Sequence, residues 1–454
     1  MRSREGPPTV SGVAHVILAP GREKRVRGGH PWVFATEVAG IRGHYEPGDH
    51  VDVVTSRGGF VGRGYINPAS RIIVRLLSRR QDEIIDEDFY RGRVREAVTY
   101  RRMLLALPRR PRDGPAVSLG EATTELPADI GQRAFRLVFA EADYLPAFIV
   151  DYFAGHLVFQ ALALGVDVIK DVLVRLVREE AVAAGFPVLG IYERDDAPVR
   201  GLEGLRLTTG SFWGEAPPRV TIRENDVSMI VDIAGGQKTG YFLDQRENRA
   251  AIEPYIRGAA DTALRAAGTA LPGRVGARVL DCFCYTGGFA LAAARSGAAE
   301  VLGVDSSAEA VALARENARL NGFGDRPDGP VSFVEANVFD FLRQAEVDGL
   351  SWDAILLDPP AFAKNKTTLP GALRGYKEIN LRAMRLIPPG GYLITSSCSQ
   401  HVSEDLFREM LASAAADTRR RVRVVEVRSQ AKDHPTLPSA PETRYLKFFV
   451  LKVE

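Results

Sequence analysis

The sequence has few cysteines, no long apolar run and almost no net charge. Its 454 residues include three cysteines, two of them in one C-x-C. Three cysteines make neither a disulfide framework nor, without distant histidines, a four-ligand zinc site. No apolar run reaches the roughly 18 residues of a membrane span, and no apolar signal core follows Arg2 and Arg4. We therefore expect a cytoplasmic protein with no membrane partner and no metal.

The formal charge of +2 is only mildly basic, so a nucleic-acid surface would need local clusters of Lys and Arg. The length predicts about three domains. Short apolar runs between glycine-rich turns predict a small β-rich domain over 12–80. A central α+β domain is expected over 86–222, with a mobile insertion at 107–133, and a third domain over 223–454.

The most informative stretch is Val279–Ala294, an apolar strand that leads into a glycine turn and an alanine-rich helix. Gly287 and Gly288 allow a tight turn, and the helix that follows directs free N–H groups at whatever lies there. This pattern is typical of a nucleotide-cofactor loop. A strand, turn and helix that only pack together remain the alternative.

The next predicted strand, Val301–Asp305, ends in an acid 24 positions after Asp281. An acid at the tip of the second strand is placed to bind ribose hydroxyls, which suits NAD or S-adenosylmethionine. The dinucleotide fingerprint G-x-G-x-x-G is absent from Tyr285–Gly288. A cofactor without phosphates therefore fits better.

Beyond Gly276 the repeated strand-helix pattern predicts a parallel, doubly wound sheet, which binds ligands at the carboxyl ends of its strands. Asn337, Asp358-Pro-Pro360 and Ser396–Ser399 follow three of these strands, so they should share one crevice. A lone cysteine is often an inert apolar residue, but Cys398 lies one strand from Asp358. Both groups could therefore address the same ring, whereas Cys282 and Cys284 should pack as core.

Two other segments are rich in polar side chains. Gly235–Arg246 concentrates Gly, Lys, Tyr, Asp, Gln and Arg in a loop, which favours a ligand-facing role over a plain connection between strand and helix. Near the front, four basic residues precede an exposed-looking His30 and an aromatic residue, a pattern that suits phosphate contact and base stacking. These candidate RNA contacts are Arg22, Lys24, Arg25, Arg27 and Trp32. The alternative, a core Trp32 beside solvated charges, stays open.

Taken in order, these motifs resemble the RlmI/RlmO group of class I methyltransferases, which act on cytosine carbon-5 in 23S ribosomal RNA. The resemblance rests on Gly21-Arg-Glu-Lys24, His30–Phe34, Gly236–Arg246, Tyr285–Phe289, Asp358-Pro-Pro360, Gly375-Tyr-Lys377, Ser397-Cys-Ser399 and Asp433-His-Pro435. It implies a PUA domain, a central α+β domain and a Rossmann-like domain that binds S-adenosylmethionine. The fold class implied is α/β.

The resemblance also implies roles for single residues. Cys398 would add to carbon-6 of cytosine, and Asp358 would protonate or hydrogen-bond ring nitrogen 3. Asn337 stands where an acid is common in the group. The expected cofactor contacts are Gln237, Phe242, Asp244, Arg246, Phe283, Tyr285, Thr286, Gly287, Asp305, Asn337, Asp358 and Pro359. The expected partner is 23S ribosomal RNA, and a homodimer is one option for the assembly.

Other functions stay open on the sequence alone. An acid followed by two prolines also suits methylation of an exocyclic amine or of another base, although such a transfer needs no Cys398. A non-catalytic RNA-binding assembly factor could retain the same fold. An NAD oxidoreductase is disfavoured by the missing pyrophosphate fingerprint.

Overall fold

A computed structural model describes five ranges of the chain: 12–106, 126–266, 276–324, 329–363 and 365–454. Most of the predicted insertion over 107–133 lies outside these ranges. Within them the strands form three large sheets and one hairpin. None of the described helices is long and apolar enough to cross a membrane.

The first sheet has six strands in the order β2-β6-β5-β4-β1-β3. Valine, isoleucine and leucine side chains on these strands form its buried core, as expected for β-branched and apolar residues on pleated surfaces. A single short helix, α1, lies between the first two strands. The elements are β1 (His15–Leu18), α1 (Glu23–Arg27), β2 (Trp32–Phe34), β3 (Val38–Arg42), β4 (His50–Val54), β5 (Phe60–Ile66) and β6 (Ile72–Ser78).

The central region has a five-stranded sheet in the order β11-β10-β9-β8-β7. Buried polar contacts join it to the first sheet: the Glu203 carboxylate accepts hydrogen bonds from Asn67, Ser70 and Arg75 at 2.5 to 2.9 Å. The elements are α2 (Glu87–Ala106), β7 (Ala134–Phe139), β8 (Phe148–Phe153), β9 (His156–Ala161), α3 (Leu164–Asp167), α4 (Lys170–Ala183), β10 (Gly190–Asp195) and β11 (Thr208–Gly214).

A hairpin leads into the third sheet, which has seven strands in the order β16-β15-β14-β17-β18-β20-β19. Five strands are parallel, and β20 and β19 close one side in antiparallel register. Through β18 the elements are β12 (Arg219–Glu224), β13 (Val227–Asp232), α5 (Arg246–Ala251), α6 (Glu253–Ala266), β14 (Arg278–Cys282), α7 (Gly288–Arg295), β15 (Glu300–Asp305), α8 (Ala308–Leu320), β16 (Val331–Glu335), α9 (Val338–Val347), β17 (Ala354–Leu357), α10 (Leu369–Leu386) and β18 (Tyr392–Ser397). They end with α11 (Glu404–Thr418), β19 (Val422–Arg428) and β20 (Lys447–Val453).

The connections change direction beside β14. The chain runs from β14 to β15 and β16 on one side, and then returns to add β17 and β18 on the other. The carboxyl ends of β14 and β17 therefore flank a topological switch point, where open α/β sheets bind ligands. The predicted fold class is confirmed, while the domain boundaries at 80, 86 and 222 stay a prediction.

Candidate active site

The structure brings Asp358 and Cys398 together at this edge of the third sheet. Asp358 follows β17 and Cys398 follows β18, and the two strands pair in parallel with Leu357 opposite Thr395. The Cys398 Sγ lies 3.9 Å from the carbonyl oxygen of Pro359. The thiol and the carboxyl thus flank one crevice, as the sequence predicts.

One oxygen of Asp358 is held by two hydrogen-bond donors. Its Oδ1 accepts a hydrogen bond from Gln245 Nε2 at 2.8 Å and another from the Ser396 hydroxyl. Asn248 Nδ2 donates to Gln245 Oε1 at 2.6 Å, and this contact fixes which end of the Gln245 amide faces Asp358. Burial raises the pKa of Asp358, against the effect of the two hydrogen bonds. Since Oδ1 is an acceptor, a proton on this carboxyl would sit on Oδ2.

The Cys398 thiol lies among both cations and carboxylates. Burial raises its pKa to about 11, and Asp358 and Asp244 add to that rise while Lys238 and Lys447 oppose it. Lys447 is itself buried and donates at 2.7 Å to the carbonyls of Ser399 and Tyr445. The thiol is therefore protonated at neutral pH, with two ammonium groups available to stabilise a thiolate.

The turn after β14 has an unusual backbone. Phe283 and Tyr285 have φ of 62° and 49°, and Gly287 has φ of 88°. Left-handed conformations cost non-glycine residues about 1 kcal/mol or more and cluster at functional sites. The turn delivers the chain to α7, whose Ala290 and Ala293 are fully buried because their short side chains let the helix lie close to the sheet.

Asp305 ends β15 beside this turn. Its carboxylate accepts from the backbone N–H of Tyr285 at 2.9 Å and from that of Ser307 at 3.0 Å. The carboxylate still has lone pairs for further donors. Ser307 caps α8 by accepting a hydrogen bond from Ala310 N.

Asn337 is exposed and caps α9, with its Oδ1 accepting from the backbone N–H groups of Phe339 and Asp340 at 2.9 and 3.3 Å. Asn337 is also one of the cofactor contacts that the resemblance implies. The cap already uses the oxygen, because a helix N-terminus leaves unpaired donors. The Asn337 Nδ2 group makes no hydrogen bond within the described ranges.

The loop over 235–246 packs on the turn after β14. The Tyr285 hydroxyl accepts from Gln237 N at 3.0 Å and donates to the Gly240 carbonyl at 3.3 Å, and the ring of Phe242 meets that of Tyr285 edge on at 5.3 Å. The Lys238 ammonium lies 4.6 Å from the Phe242 ring centroid. The loop therefore shares one wall of the crevice with the glycine turn.

Two family models match parts of this chain. A PUA-like domain family matches residues 16–79. The S-adenosylmethionine-dependent methyltransferase family matches residues 208–448, more than half of the chain.

The chain belongs to this methyltransferase family.

Two similar proteins carry the name ribosomal RNA large subunit methyltransferase I. That of Shewanella denitrificans is 40% identical over 440 residues, which are 96% of this chain and 99% of the relative. That of Photobacterium profundum is 39% identical over 441 residues, 97% of this chain and 99% of the relative. The resemblance drawn from the motifs is thus confirmed.

Solved structures of low sequence identity share the fold of this methyltransferase. A putative S-adenosylmethionine-dependent methyltransferase from Streptococcus mutans has a TM-score of 0.74 at 20% identity, over 97% of this chain and all of the other. A putative methyltransferase solved with SAH has a TM-score of 0.75 at 20% identity, with the same coverage. The cofactor of the methyltransferase is S-adenosylmethionine.

The residues at the switch point fit this cofactor. Thr286 is buried, and its hydroxyl has no hydrogen-bond partner within the described residues. Asp281 is fully buried, with both oxygens lacking a donor of good geometry in the same residues. Burial, and next the neighbouring Asp358, raise its pKa. Buried polar groups of this kind require partners, and the methyltransferase cofactor carries an ammonium group and hydroxyls. No described group of three or more His, Cys, Asp or Glu side chains could hold a metal.

Two of the expected cofactor contacts are engaged inside the methyltransferase itself. Asp244 Oδ2 accepts from the Tyr445 hydroxyl at 2.6 Å and lies 3.4 Å from Lys238 Nζ. Burial by itself would raise the pKa of Asp244. Lys238 and the other positive or hydrogen-bonding groups around Asp244 outweigh burial and hold this pKa below its ordinary value. The Arg246 guanidinium lies 3.1 Å from the Asp433 carboxylate. A cofactor contact by either side chain therefore stays a prediction.

The basic cluster near the front lies on and beside α1. Arg22, Lys24 and Arg27 are exposed, whereas the Arg25 guanidinium contacts the Glu37 carboxylate at 2.7 and 3.2 Å. Three cations of the cluster are thus available to a ligand.

The aromatic residues beside this cluster are more enclosed than the sequence suggests. Trp32 is half-buried, and its Nε1 donates to Glu141 Oε1 at 2.8 Å. His30, expected to be exposed, is buried because it packs edge on against Trp32 and lies 3.3 Å from the Glu442 carboxylate.

The sequence does not indicate how four side chains support the methyltransferase site. Gln245, Asn248 and Ser396 hold Asp358 in place, and Lys447 neutralises charge beside Cys398. Lys447 carries a usable signal, since it is the first residue of a mainly apolar strand, Lys447–Val453, and directly precedes two phenylalanines. Gln245 carries none for its contact, because its partner Asp358 lies 113 positions away in sequence.

Proposed function

We propose that this methyltransferase forms 5-methylcytosine in 23S ribosomal RNA through a covalent adduct of Cys398. The observation that carries the proposal is the placement of a thiol and a carboxyl at the ends of two adjacent parallel strands. The name of the relatives, ribosomal RNA large subunit methyltransferase I, supports RNA as the substrate. A cytoplasmic location and a homodimer stay predictions.

The cofactor would be held at the turn after β14 and at the tip of β15. Asp305 would accept hydrogen bonds from the ribose hydroxyls, and the buried Asp281 and Thr286 would meet its polar groups. When bound, S-adenosylmethionine supplies an electrophilic methyl group at the switch point. The aromatic rings of Phe242 and Tyr285 would help to keep water away from it.

Cys398 would begin the reaction. Carbon-5 of cytosine is a poor nucleophile, and addition of a thiolate to carbon-6 makes it enamine-like. The thiol must first lose its proton, which Lys238 and Lys447 favour by stabilising the thiolate. The new bond joins Sγ to carbon-6, and the electron pair moves toward ring nitrogen 3. Once carbon-5 is methylated, loss of its proton to a base expels the thiolate and restores the ring.

Asp358 would balance the charge on the ring. As electrons reach ring nitrogen 3, a proton on Oδ2 passes to that nitrogen, and it returns when the thiolate leaves. The donors on Oδ1, Gln245 and Ser396, keep this carboxyl in one orientation, and burial raises its pKa, which favours the protonated form. In this proposal the acid step belongs to Oδ2 of Asp358, and the two donors on Oδ1 support that choice.

Two measurements test the proposal. Ribosomal RNA from a strain that lacks this gene should gain one methylated cytosine when it is incubated with the protein and cofactor, as mapped by mass spectrometry of nuclease fragments. RNA with 5-fluorocytosine at that position should form a complex that survives denaturing electrophoresis, because fluorine cannot leave as a cation and the adduct persists. Methylation on an exocyclic amine, or cofactor binding with no methyl transfer to any RNA, would contradict the proposal.

A further inference from the structure

A surface cavity of about 410 Å³ lies between α2 and the segment that joins β19 to β20. This volume falls within the range of small-molecule and nucleotide sites. The other cavity described, near Tyr65, has only about 10 Å³, room for about one water. The larger cavity is lined by Tyr100, Ser429, Gln430, Ala431, Lys432, His434, Pro435, Thr436 and Arg444.

The lining contains two cations and no carboxylate. Lys432 is exposed, and its ammonium has no acidic partner within the described ranges. Arg444 is exposed and shares Glu404 with Arg408 at 2.8 and 3.3 Å. An unpaired ammonium beside an exposed guanidinium suits a phosphate group.

The walls of the cavity are fixed and partly apolar. The Ser429 hydroxyl donates to Gln430 Oε1 at 3.0 Å, and Gln430 Nε2 donates to the Thr443 carbonyl at 2.6 Å. The Tyr100 hydroxyl donates to the Lys432 carbonyl at 2.9 Å, which holds its ring at the rim. Together with Pro435, this ring offers a surface for a ribose or a base.

Hydrogen bonds join the cavity wall to the catalytic edge. Asn248 Nδ2 donates to the Ser429 carbonyl at 3.2 Å and to Gln245 Oε1 at 2.6 Å, and Gln245 in turn donates to Asp358 at 2.8 Å. Ala431 N donates to the Asp244 carbonyl at 2.8 Å. Two side chains, Asn248 and Gln245, therefore connect the wall to the carboxyl that would serve the target base.

We propose that this cavity binds a nucleotide adjacent to the target base in the same RNA strand. Lys432 and Arg444 contact its phosphate, and Tyr100 and Pro435 contact its sugar or base. The inference rests on the proposed function, since it takes RNA to be the substrate. It assigns strand positioning to the central region and to the segment over 429–436.

The double variant Lys432→Ala, Arg444→Ala tests the cavity in the full-length protein, with ribosomal RNA from the deletion strain as the probe. We expect the KM for RNA to rise about 5- to 30-fold, while kcat and the affinity for SAH stay unchanged. The slope of log KM against log salt should fall by about 0.7 to 0.9 per lost phosphate contact. Arg408→Ala is the matched control, because Arg408 pairs with the same Glu404 but does not line the cavity.

An unchanged KM and salt slope in the double variant would overturn the proposal, as would an equal effect of Arg408→Ala. A direct check uses RNA with 4-thiouridine next to the target base. A photo-crosslink to Tyr100 or within 429–436 supports the subsite, and crosslinks only to other peptides overturn it. Failure of the parent protein to methylate this RNA would instead contradict the proposed function.

Discussion

The catalytic edge and the basic cluster at α1 represent two ways to build a functional surface. At the edge, Asp358 Oδ1 has two donors and Lys447 is bonded to two carbonyls. At the cluster, Arg22, Lys24 and Arg27 project into solvent. Bond formation needs atoms fixed to a fraction of an ångström, whereas phosphate binding depends mainly on charge number. Substitutions should therefore have very different consequences in the two regions.

The largest effect is expected at the catalytic edge. Cys398→Ala should lower methyl transfer at least about 10³-fold, because no other thiol can replace the nucleophile. Affinity for S-adenosylmethionine should hardly change, since in the proposed mechanism the thiol would contact the base and not the cofactor. Radiolabelled methyl transfer and calorimetry measure the two quantities. Retained turnover would exclude Cys398 as the nucleophile.

The environment of the thiol predicts a pH dependence. Because the pKa of Cys398 is raised to about 11, the thiolate fraction, and so the rate of alkylation by iodoacetamide, should rise about tenfold from pH 7 to 8 and continue to rise to pH 10. Above pH 8 the rise should be less than tenfold per unit, because burial lowers the pKa of Lys447 to about 8 and its charge then no longer stabilises the thiolate. Cys282 and Cys284 are buried with pKa values raised well above the ordinary one, so labelling reports on Cys398. Mass spectrometry of the labelled peptide follows the rate, and a rate that levels off near pH 7 would mean a preformed thiolate.

At the other side of the crevice we expect a smaller effect. Asp305→Ala should weaken S-adenosylmethionine binding by about 1–3 kcal/mol, because ribose hydroxyls lose a charged acceptor. Calorimetry measures the change. Glu309→Ala is the control, since Glu309 is an exposed acid on the first turn of α8. Equal affinities for Asp305→Ala and the parent protein would mean that β15 does not carry the ribose site.

The same contrast explains what the sequence could predict. The strand ends were predictable, because a parallel sheet with apolar strands places Asp358 and Cys398 at one edge whatever the side-chain details. The supports of these groups were not, since Gln245 reaches Asp358 across 113 positions. Local sequence does not encode such contacts.

For the basic cluster, the sequence predicts the type of surface but not which side chains are free to bind. Its composition predicts a phosphate surface, but the sequence does not show that Glu37 engages Arg25 or that Glu141, in the turn after β7 of the central sheet, engages Trp32. Pairing of this kind depends on which elements the fold brings together. Which of these side chains are exposed can therefore be read only from the structure.

Substitution of the cluster should reduce RNA affinity moderately. Replacing Arg22, Lys24 and Arg27 by Ala should lower the slope of log K against log salt by up to about 0.7–0.9 for each lost contact, with little dependence on sequence. Arg25→Ala should lower the melting temperature and leave the slope unchanged, because its guanidinium is bound to Glu37. Filter binding at several salt concentrations measures the slope. An unaltered slope in the triple variant would place the RNA surface elsewhere, for example on the arginines over 419–423.

The smallest expected effect concerns Trp32, whose substitution distinguishes a packing role from a role in RNA binding. Its indole N–H donates to Glu141, so it joins the first sheet to the central sheet, and Trp32→Ala should lower the melting temperature while changing RNA affinity little. A base-stacking Trp32 would behave in the reverse way, with a loss of roughly 1–3 kcal/mol in RNA binding that salt hardly affects. Trp32→Phe sharpens the test, because phenylalanine keeps an aromatic face for stacking but lacks the donor to Glu141. Lower stability with normal RNA binding in Trp32→Phe would assign the residue to packing, and normal stability with weak RNA binding in Trp32→Ala would assign it to the ligand.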